Sequence, residues 1–118
     1  MTKIKFTYLT IIVSLLLSTV SHAQVTRALF VGNSYTAGMP GVVAAVAMDA
    51  GDTLEAMENS AGGQRLSGHA TNHELYQQIR NENYDYVILQ CQSQECSWPD
   101  NQVQSEVFPY AKQICDSI

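Results

Sequence analysis

The sequence predicts an α/β fold in which strands alternate with helices and form a parallel sheet. Three strand-like segments recur along the chain, at residues 28–31, 53–58 and 84–89. Each is followed by a loop and then by a segment whose apolar residues recur at helical spacing. Strict alternation of strands and helices is typical of parallel sheets joined by right-handed crossovers.

The first strand and helix are indicated by apolar composition and by helix-end signals. Residues 28–31, Ala-Leu-Phe-Val, are all apolar and predict a strand that is buried on both faces. The helix is predicted to begin near Pro40, which a first helical turn tolerates, and to end at Gly51. Its apolar residues are Val42, Val43, Val46 and Ala47.

The second strand is predicted at residues 53–58, where apolar and polar residues alternate as in an edge strand. A glycine-containing loop follows it. Asn72 is then predicted to cap a second helix, in which Leu75, Ile79 and the nearby Tyr76 share a face.

The third strand, residues 84–89, is the clearest strand of the chain. A polar loop that contains Pro99 follows this strand. A single last helix is then predicted, with Asp100 or Asn101 as its cap. The apolar residues of this helix are Val103, Val107, Tyr110 and Ile114. The three strand–helix units together predict a three-layer α/β/α arrangement, flavodoxin-like or Rossmann-like.

Residues 1–23 are predicted to be a signal peptide. Two lysines stand near the start, residues 11–17 are a short apolar stretch, and Ser-His-Ala at residues 21–23 predicts cleavage before Gln24. A membrane anchor is the alternative, but the stretch is shorter than the roughly 20 residues that a spanning helix needs. We therefore expect a secreted or periplasmic protein without stable membrane association after cleavage.

The domain at residues 24–118 is acidic. It carries four basic and eleven acidic residues, a formal net charge of −7. This charge argues against nucleic acid or an anionic membrane as a partner.

The cysteines, Cys91, Cys96 and Cys115, are too few for a disulfide scaffold. A local bridge between Cys91 and Cys96 and three free thiols are both compatible with the spacing. No Cys-x-x-Cys pair is present, and we expect no metal bound by these residues.

The loops that follow the strands carry the candidate chemistry, because ligands of open parallel sheets bind beyond the carboxyl ends of the strands. The loops read Gly-Asn-Ser-Tyr-Thr at residues 32–36, Ser-Ala-Gly-Gly-Gln at 60–64 and Gln-Cys-Gln-Ser at 90–93. A positive φ at Gly32 is expected to turn the chain sharply and to expose the Ser34 hydroxyl.

Candidate donors for an oxyanion lie in the same loops. They are the backbone N–H groups around Ser34, near the amino end of the next helix, those of Gly62 and Gly63, and the side-chain amide of Gln92. The competing interpretation is that the serine and the glycines serve loop geometry alone.

Three segments together resemble the SGNH/GDSL hydrolases. Residues 29–36, Leu-Phe-Val-Gly-Asn-Ser-Tyr-Thr, resemble the first block of the branch that reads Gly-Asn-Ser-[Phe/Tyr]-Thr. Residues 61–69 resemble its second block and residues 84–93 its third, in the same order and spacing. The resemblance covers residues 27–93 and implies the flavodoxin-like SGNH fold, with only the first three strand–helix units present.

The resemblance implies a role for each matched residue. Ser34 would be the nucleophile and a backbone oxyanion donor, and Gly63 would donate a second N–H group. The family's third donor is an Asn side chain in a Gly-x-Asn-Asp block. Gln92 stands at the matching position and Gln90 replaces the glycine, so Gln92 is the predicted third donor and Gln90 the alternative.

The family's base comes from an Asp-x-x-His block near the carboxyl end, and nothing after Lys112 resembles that block. We therefore expect the N-terminal part of a hydrolase domain that is inactive, or nearly so, by itself. His69 matches a family histidine that is not the base. The spacing of His69 and His73, with Glu74, also fits a metal pair on a helix, but no metal or cofactor is expected.

The resulting expectation is a serine esterase that acts through an acyl-enzyme on acetylated carbohydrate or another short-chain ester. Two alternatives stay open. One is a flavin- or nucleotide-binding module, because the loop after the first strand also resembles a phosphate-cradling turn, although it lacks the usual glycine spacings. The other is a non-catalytic ligand-binding remnant.

Overall fold

A computed structural model describes residues 24–118, so the predicted signal peptide and its cleavage site lie outside the described part of the chain. The described elements are β1 (Val25–Gly32), α1 (Met39–Asp49), β2 (Thr53–Ser60), α2 (Leu66–His69), α3 (His73–Asn81), β3 (Tyr86–Leu89), a 3-10 helix (Glu95–Ser97), α4 (Asp100–Glu106) and α5 (Phe108–Cys115).

The three strands form one parallel sheet in the order β2-β1-β3. Ala28 of the central strand is in register with Ala56 on one side and with Tyr86 on the other. The predicted parallel α/β fold is confirmed, as a small flavodoxin-like arrangement. The prediction that the second strand lies at an edge and the first is buried is also confirmed within residues 24–118.

The main core lies on one face of the sheet. Leu29 and Val31 of β1 point to this face and are fully buried. Side chains from α2, α3 and α5 cover them, so burial of apolar area fixes these helices on the sheet. The buried cluster consists of Leu29, Val31, Leu66, Ala70, Leu75, Ile79, Val107 and Ile114.

The opposite face carries Phe30 of β1 and the helix α1. This helix packs against β2, and Pro40 is its one buried residue. Val42 and Val46 are 64% and 63% exposed. The apolar character of α1 is therefore largely solvent-facing in the described part of the chain. Among residues 24–118 there is no helix with the length and apolarity that a membrane crossing requires.

The third strand is shorter than predicted, because it begins at Tyr86 rather than at residue 84. The Asp85 carboxylate accepts a hydrogen bond from the Arg27 backbone N–H at 2.8 Å, and the Asp85 N–H donates to the Arg27 carbonyl oxygen at 2.8 Å. A side chain thus takes the place of a backbone acceptor at this end of the sheet.

The second long helix was predicted correctly, and its cap is confirmed. The Asn72 side-chain oxygen accepts hydrogen bonds from the N–H groups of Glu74 and Leu75, at 3.0 and 3.4 Å. These are two of the helix donors that have no partner inside the helix itself.

The prediction of a single last helix capped by Asp100 or Asn101 is wrong. The chain forms two helices, α4 and α5, that meet at Val107. Pro109 lies in the first turn of α5, and its ring has no N–H group and would clash inside a continuous helix. Pro99 occupies the cap position of α4 and makes no side-chain hydrogen bond there. Asp100 lies in the first turn of α4, where the helix dipole stabilises its negative charge.

Candidate functional site

The loops after the three strands meet at one edge of the sheet. The strands are parallel, so their carboxyl ends, at Gly32, Ser60 and Leu89, share an edge. The ladder continues just past them: the Ala61 N–H lies 3.4 Å from the Gly32 carbonyl oxygen, and the Gln90 N–H lies 2.8 Å from the Val31 carbonyl oxygen. All three predicted loops therefore border the same rim.

Asn33 connects the first loop to the other two. Its side chain is buried, with 3% exposed. Its backbone N–H donates to the Gln90 side-chain oxygen at 3.1 Å, and its Nδ2 donates to the Gln64 carbonyl oxygen at 3.5 Å. Its Oδ1 accepts from the Tyr35 N–H at 3.0 Å. One residue thus holds the turn around Ser34 against both neighbouring loops.

The Gln90 side chain is fully engaged in the same junction. Its Oε1 accepts from the Asn33 N–H and also from the Thr36 hydroxyl, at 2.9 Å. Its Nε2 donates to the Cys91 carbonyl oxygen. Gln90 therefore orients the first loop, and neither end of its amide faces the open rim unpaired.

The expectation of a positive φ at Gly32 is wrong. Within the described residues the glycines with positive φ are Gly38, Gly51 and Gly63. Gly32 is required for a different reason, the close approach of side chains. A Cβ atom at this position would lie 2.1 Å from Thr36 Oγ1 and 2.6 Å from Gln90 Oε1.

Ser34 lies in a helical turn that precedes α1. The N–H groups of Thr36 and Ala37 both donate to the Asn33 carbonyl oxygen, at 2.9 and 3.2 Å. The Ser34 side chain is exposed, and within residues 24–118 its N–H group has no hydrogen-bond partner. The turn therefore presents a hydroxyl and a free backbone donor at the rim.

The second loop presents glycine backbone without obstruction. Gly63 has a φ of 69°, and a Cβ at Gly62 or Gly63 would have no heavy atom within 4 Å. The Gln64 N–H closes the turn onto the Ala61 carbonyl oxygen at 3.0 Å. Both glycines are exposed, so their N–H groups are accessible from solvent.

Glu58 ties the second strand to the amino end of α1. Its carboxylate accepts from the Ser60 hydroxyl and, at 3.1 Å, from the Gly38 N–H. These hydrogen bonds, the one from Ser60 first, hold the pKa of Glu58 below its usual value. A negative charge at the helix amino end is also favoured by the helix dipole.

Gln92 in the third loop has one end of its amide fixed. Its Oε1 accepts from the Gln94 N–H at 2.7 Å, and its backbone N–H donates to Glu95 Oε2 at 2.9 Å. The residue is half-buried. Fixing the amide oxygen leaves Nε2 as the end of the side chain that can face a ligand.

An ion pair between Arg65, directly after the second loop, and the buried Glu95, just after the third loop, links these two parts of the rim. Glu95 is 1% exposed, and its Oε1 lies 2.6 Å from Arg65 Nε. The Arg65 guanidinium also lies 4.7 Å from the centre of the Trp98 ring and 3.5 Å from Glu106 Oε2. The Glu95 carboxylate, through its hydrogen bond, raises the pKa of Arg65. Sequence reasoning missed this pair.

His69 supports the end of β1. The ring is 1% exposed, and its Nε2 lies 2.8 Å from the Gly32 carbonyl oxygen. Because a carbonyl oxygen only accepts, Nε2 carries the proton, and the buried Nδ1 has no partner within the described residues. His69 therefore bonds the backbone beside the first loop rather than the Ser34 hydroxyl.

The two histidines do not share a helix face. His69 ends α2, whereas His73 begins α3 and lies 3.0 Å from Gln77 Nε2 through its own Nε2. The break at residues 70–72 removes the spacing that a metal pair on one helix requires. Residues 24–118 contain no group of three or more His, Cys, Asp or Glu side chains that could hold a metal ion.

An open cleft of about 430 Å³ adjoins the first loop. It lies on the α1 face of the sheet, and its lining includes Phe30, Met39 and Ile88, together with Tyr35 and Thr36 of the first loop. A second cavity, of about 380 Å³, is formed by residues around Arg80 and Tyr84, away from the three loops. The first cleft therefore borders the rim, whereas the second does not.

Comparison of the chain with protein-family models, with curated proteins and with solved structures gives no match.

Replacing Gly32 tests the close packing of the first loop. We expect Gly32→Ala to lower the free energy of unfolding by about 1–3 kcal/mol, because the added methyl group would overlap the Thr36 hydroxyl. The control is Gly62→Ala, where nothing lies within 4 Å and where we expect a change within about 0.5 kcal/mol. Urea denaturation measures both, and equal effects would contradict this role of Gly32.

The two carboxylates that pair with Arg65 should contribute unequally to the stability of the fold. Glu95→Ala would remove the buried acceptor of the Gln92 N–H and one partner of Arg65, which is 40% exposed and stays hydrated, so we expect the free energy of unfolding to fall by about 1–3 kcal/mol. Glu106 is 49% exposed, so Glu106→Ala should cost less than about 1 kcal/mol. Thermal and urea unfolding measure the two stability changes. A larger loss in Glu106→Ala than in Glu95→Ala would contradict the importance of the buried Glu95.

Proposed function

We propose that residues 24–118 are the nucleophile-bearing part of an exported SGNH-type serine esterase, with Ser34 as the nucleophile. The observation that carries this proposal is the position of Asn33. Its side chain hydrogen-bonds the second loop, and its backbone N–H hydrogen-bonds the third loop. The neighbouring Ser34 is exposed where the three loops meet. The order of the three resembling segments along the chain supports the same assignment.

The proposed reaction proceeds through an acyl-enzyme. Ser34 Oγ attacks the ester carbonyl carbon while its proton passes to a base, and the alcohol then leaves with a proton. Water hydrolyses the acyl group from Ser34 in the second half of the reaction. The N–H groups of Ser34 and Gly63 stabilise the negative oxygen of the tetrahedral intermediate, and both stand in accessible backbone.

Gln92 is our candidate for the third oxyanion donor, in preference to Gln90. The Gln90 amide is bonded at both ends, to the first loop and to the Cys91 carbonyl oxygen. The Gln92 amide is held only by its oxygen. Removing one such donor in acyl-transfer enzymes costs about 2.7–4 kcal/mol of transition-state stabilisation, so the choice has a measurable consequence.

The base is proposed to lie outside the described residues. His69 is bonded to the Gly32 carbonyl oxygen, and His73 faces Gln77 on α3, so neither hydrogen-bonds Ser34. A serine hydroxyl without an adjacent base is a weak nucleophile. Residues 24–118 by themselves are therefore expected to be inactive or nearly so.

The proposed substrate is an acetylated carbohydrate or another short-chain ester. The rim is open: Ser34, Gly62 and Gly63 are exposed, which leaves room for a bulky alcohol group. Tyr35, directly beside the nucleophile, is 68% exposed and offers a flat apolar ring with a polar hydroxyl. Such a ring suits the mixed apolar and polar surface of a sugar.

A serine-reactive phosphonate tests the nucleophile directly. In the protein expressed from its complete gene, we expect labelling that Ser34→Ala abolishes and Ser93→Ala preserves, since Ser93 is an exposed serine of the third loop. Mass spectrometry of the labelled protein is the measurement. Equal labelling of Ser34→Ala and the unaltered protein would contradict the proposal. Absence of labelling in all variants would favour a non-catalytic ligand-binding remnant.

A further inference from the structure

Two thiols meet beside the candidate oxyanion donor of the third loop. Cys91 Sγ and Cys96 Sγ lie 3.0 Å apart, and both cysteines are reduced. Cys91 is half-buried against the main core, whereas Cys96 is exposed on the 3-10 helix. The third cysteine, Cys115, lies on α5 and is also exposed.

We propose that Cys91 and Cys96 are a reversible dithiol–disulfide pair whose oxidation fixes the loop that carries Gln92. The two sulfur atoms need to approach by only about 1 Å to reach the length of a disulfide bond, about 2.05 Å. The bridge would close a ring over residues 91–96, which contains both Gln92 and Glu95. This inference does not depend on the proposed esterase activity.

The anchors on either side of the pair explain why a bridge would act on this loop. On one side, Gln90 is bonded to Asn33 and Thr36 of the first loop. On the other, Glu95 is buried against Arg65 and also accepts the Gln92 N–H. Residues 91–94 lie between these anchors, and a bridge from Cys91 to Cys96 would join the residues that directly follow the two anchors.

The exchange chemistry requires a small-molecule disulfide such as oxidised glutathione. The Cys96 thiolate attacks one sulfur of the oxidant, forms a mixed disulfide and releases one glutathione thiolate. The Cys91 thiolate then attacks the Cys96 sulfur and releases the second glutathione thiolate. The protein loses two protons and two electrons, and the oxidant is reduced to two thiols.

The environments of the two thiols favour this order of steps. Cys96 is exposed and reaches a dissolved oxidant, while Cys91 is partly covered. Burial first, and then the hydrogen bond with Cys96, raise the pKa of Cys91 to about 11. A raised pKa lowers the fraction of thiolate, so Cys91 is the less reactive thiol towards the oxidant in solution.

Tryptic mapping of the oxidised protein is the test. Trypsin cleaves after Arg80 and Lys112, which places Cys91 and Cys96 in one peptide, residues 81–112, and Cys115 in the next peptide, which begins at Gln113. After equilibration with oxidised glutathione, we expect peptide 81–112 to be lighter by two hydrogen atoms and to resist alkylation. Dithiothreitol should restore the original mass of peptide 81–112 and its reaction with the alkylating reagent. Cys115→Ser should show the same mass change on oxidation as the unaltered protein.

Amide hydrogen exchange measures the consequence for the loop. We expect exchange at residues 92–94 to slow on the order of tenfold on oxidation and to recover on reduction. Cys96→Ser, at an exposed position, should show neither the mass loss nor the slowing. Three alkylated cysteines after oxidation, a link between the two peptides, or unchanged exchange in a bridged protein would each overturn the proposal.

Discussion

The hydrogen bonds that the Gln90 side-chain oxygen accepts from the Asn33 N–H and the Thr36 hydroxyl hold the rim of this molecule together. They connect the end of an edge strand to the loop after the central strand. The Thr36 and Gln90 side-chain atoms that they join leave no space for a Cβ atom at Gly32, so the same contact accounts for the glycine. The Asn33 carbonyl oxygen, which accepts from the N–H groups of Thr36 and Ala37, closes the turn in which Ser34 is exposed.

This junction in turn depends on the strand order. Because β1 lies between β2 and β3, its following loop is the one that both other loops can reach. Asn33 uses that position to bond Gln64 on one side and Gln90 on the other. The Arg65–Glu95 pair then joins the outer two loops to each other. The three loops that carry the proposed oxyanion donors are therefore connected to one another rather than independent.

The sequence was sufficient for the features that local patterns encode. Apolar runs and alternating apolar and polar residues predicted the three strands, and the Asn72 cap followed from residue type and position. A proline at position 109 marks the break between α4 and α5, although the apolar residues keep helical spacing across it. The Arg65–Glu95 pair and the His69 contact with Gly32 join residues 30 and 37 positions apart, so no local periodicity reveals them. The constraint at Gly32 comes from the Thr36 side chain of the same loop and from Gln90 of the third loop, and the contact with Gln90 is equally invisible in local patterns.

The central claim is that Ser34, Gly63 and Gln92 surround one oxyanion position. A crystal structure of the protein from its complete gene, after reaction with a serine-reactive phosphonate, tests it most directly. The account predicts phosphorus bonded to Ser34 Oγ, with the phosphoryl oxygen within hydrogen-bond distance of the N–H groups of Ser34 and Gly63 and of Gln92 Nε2. A phosphoryl oxygen directed into solvent, away from Gly63, or an adduct on another residue would contradict it.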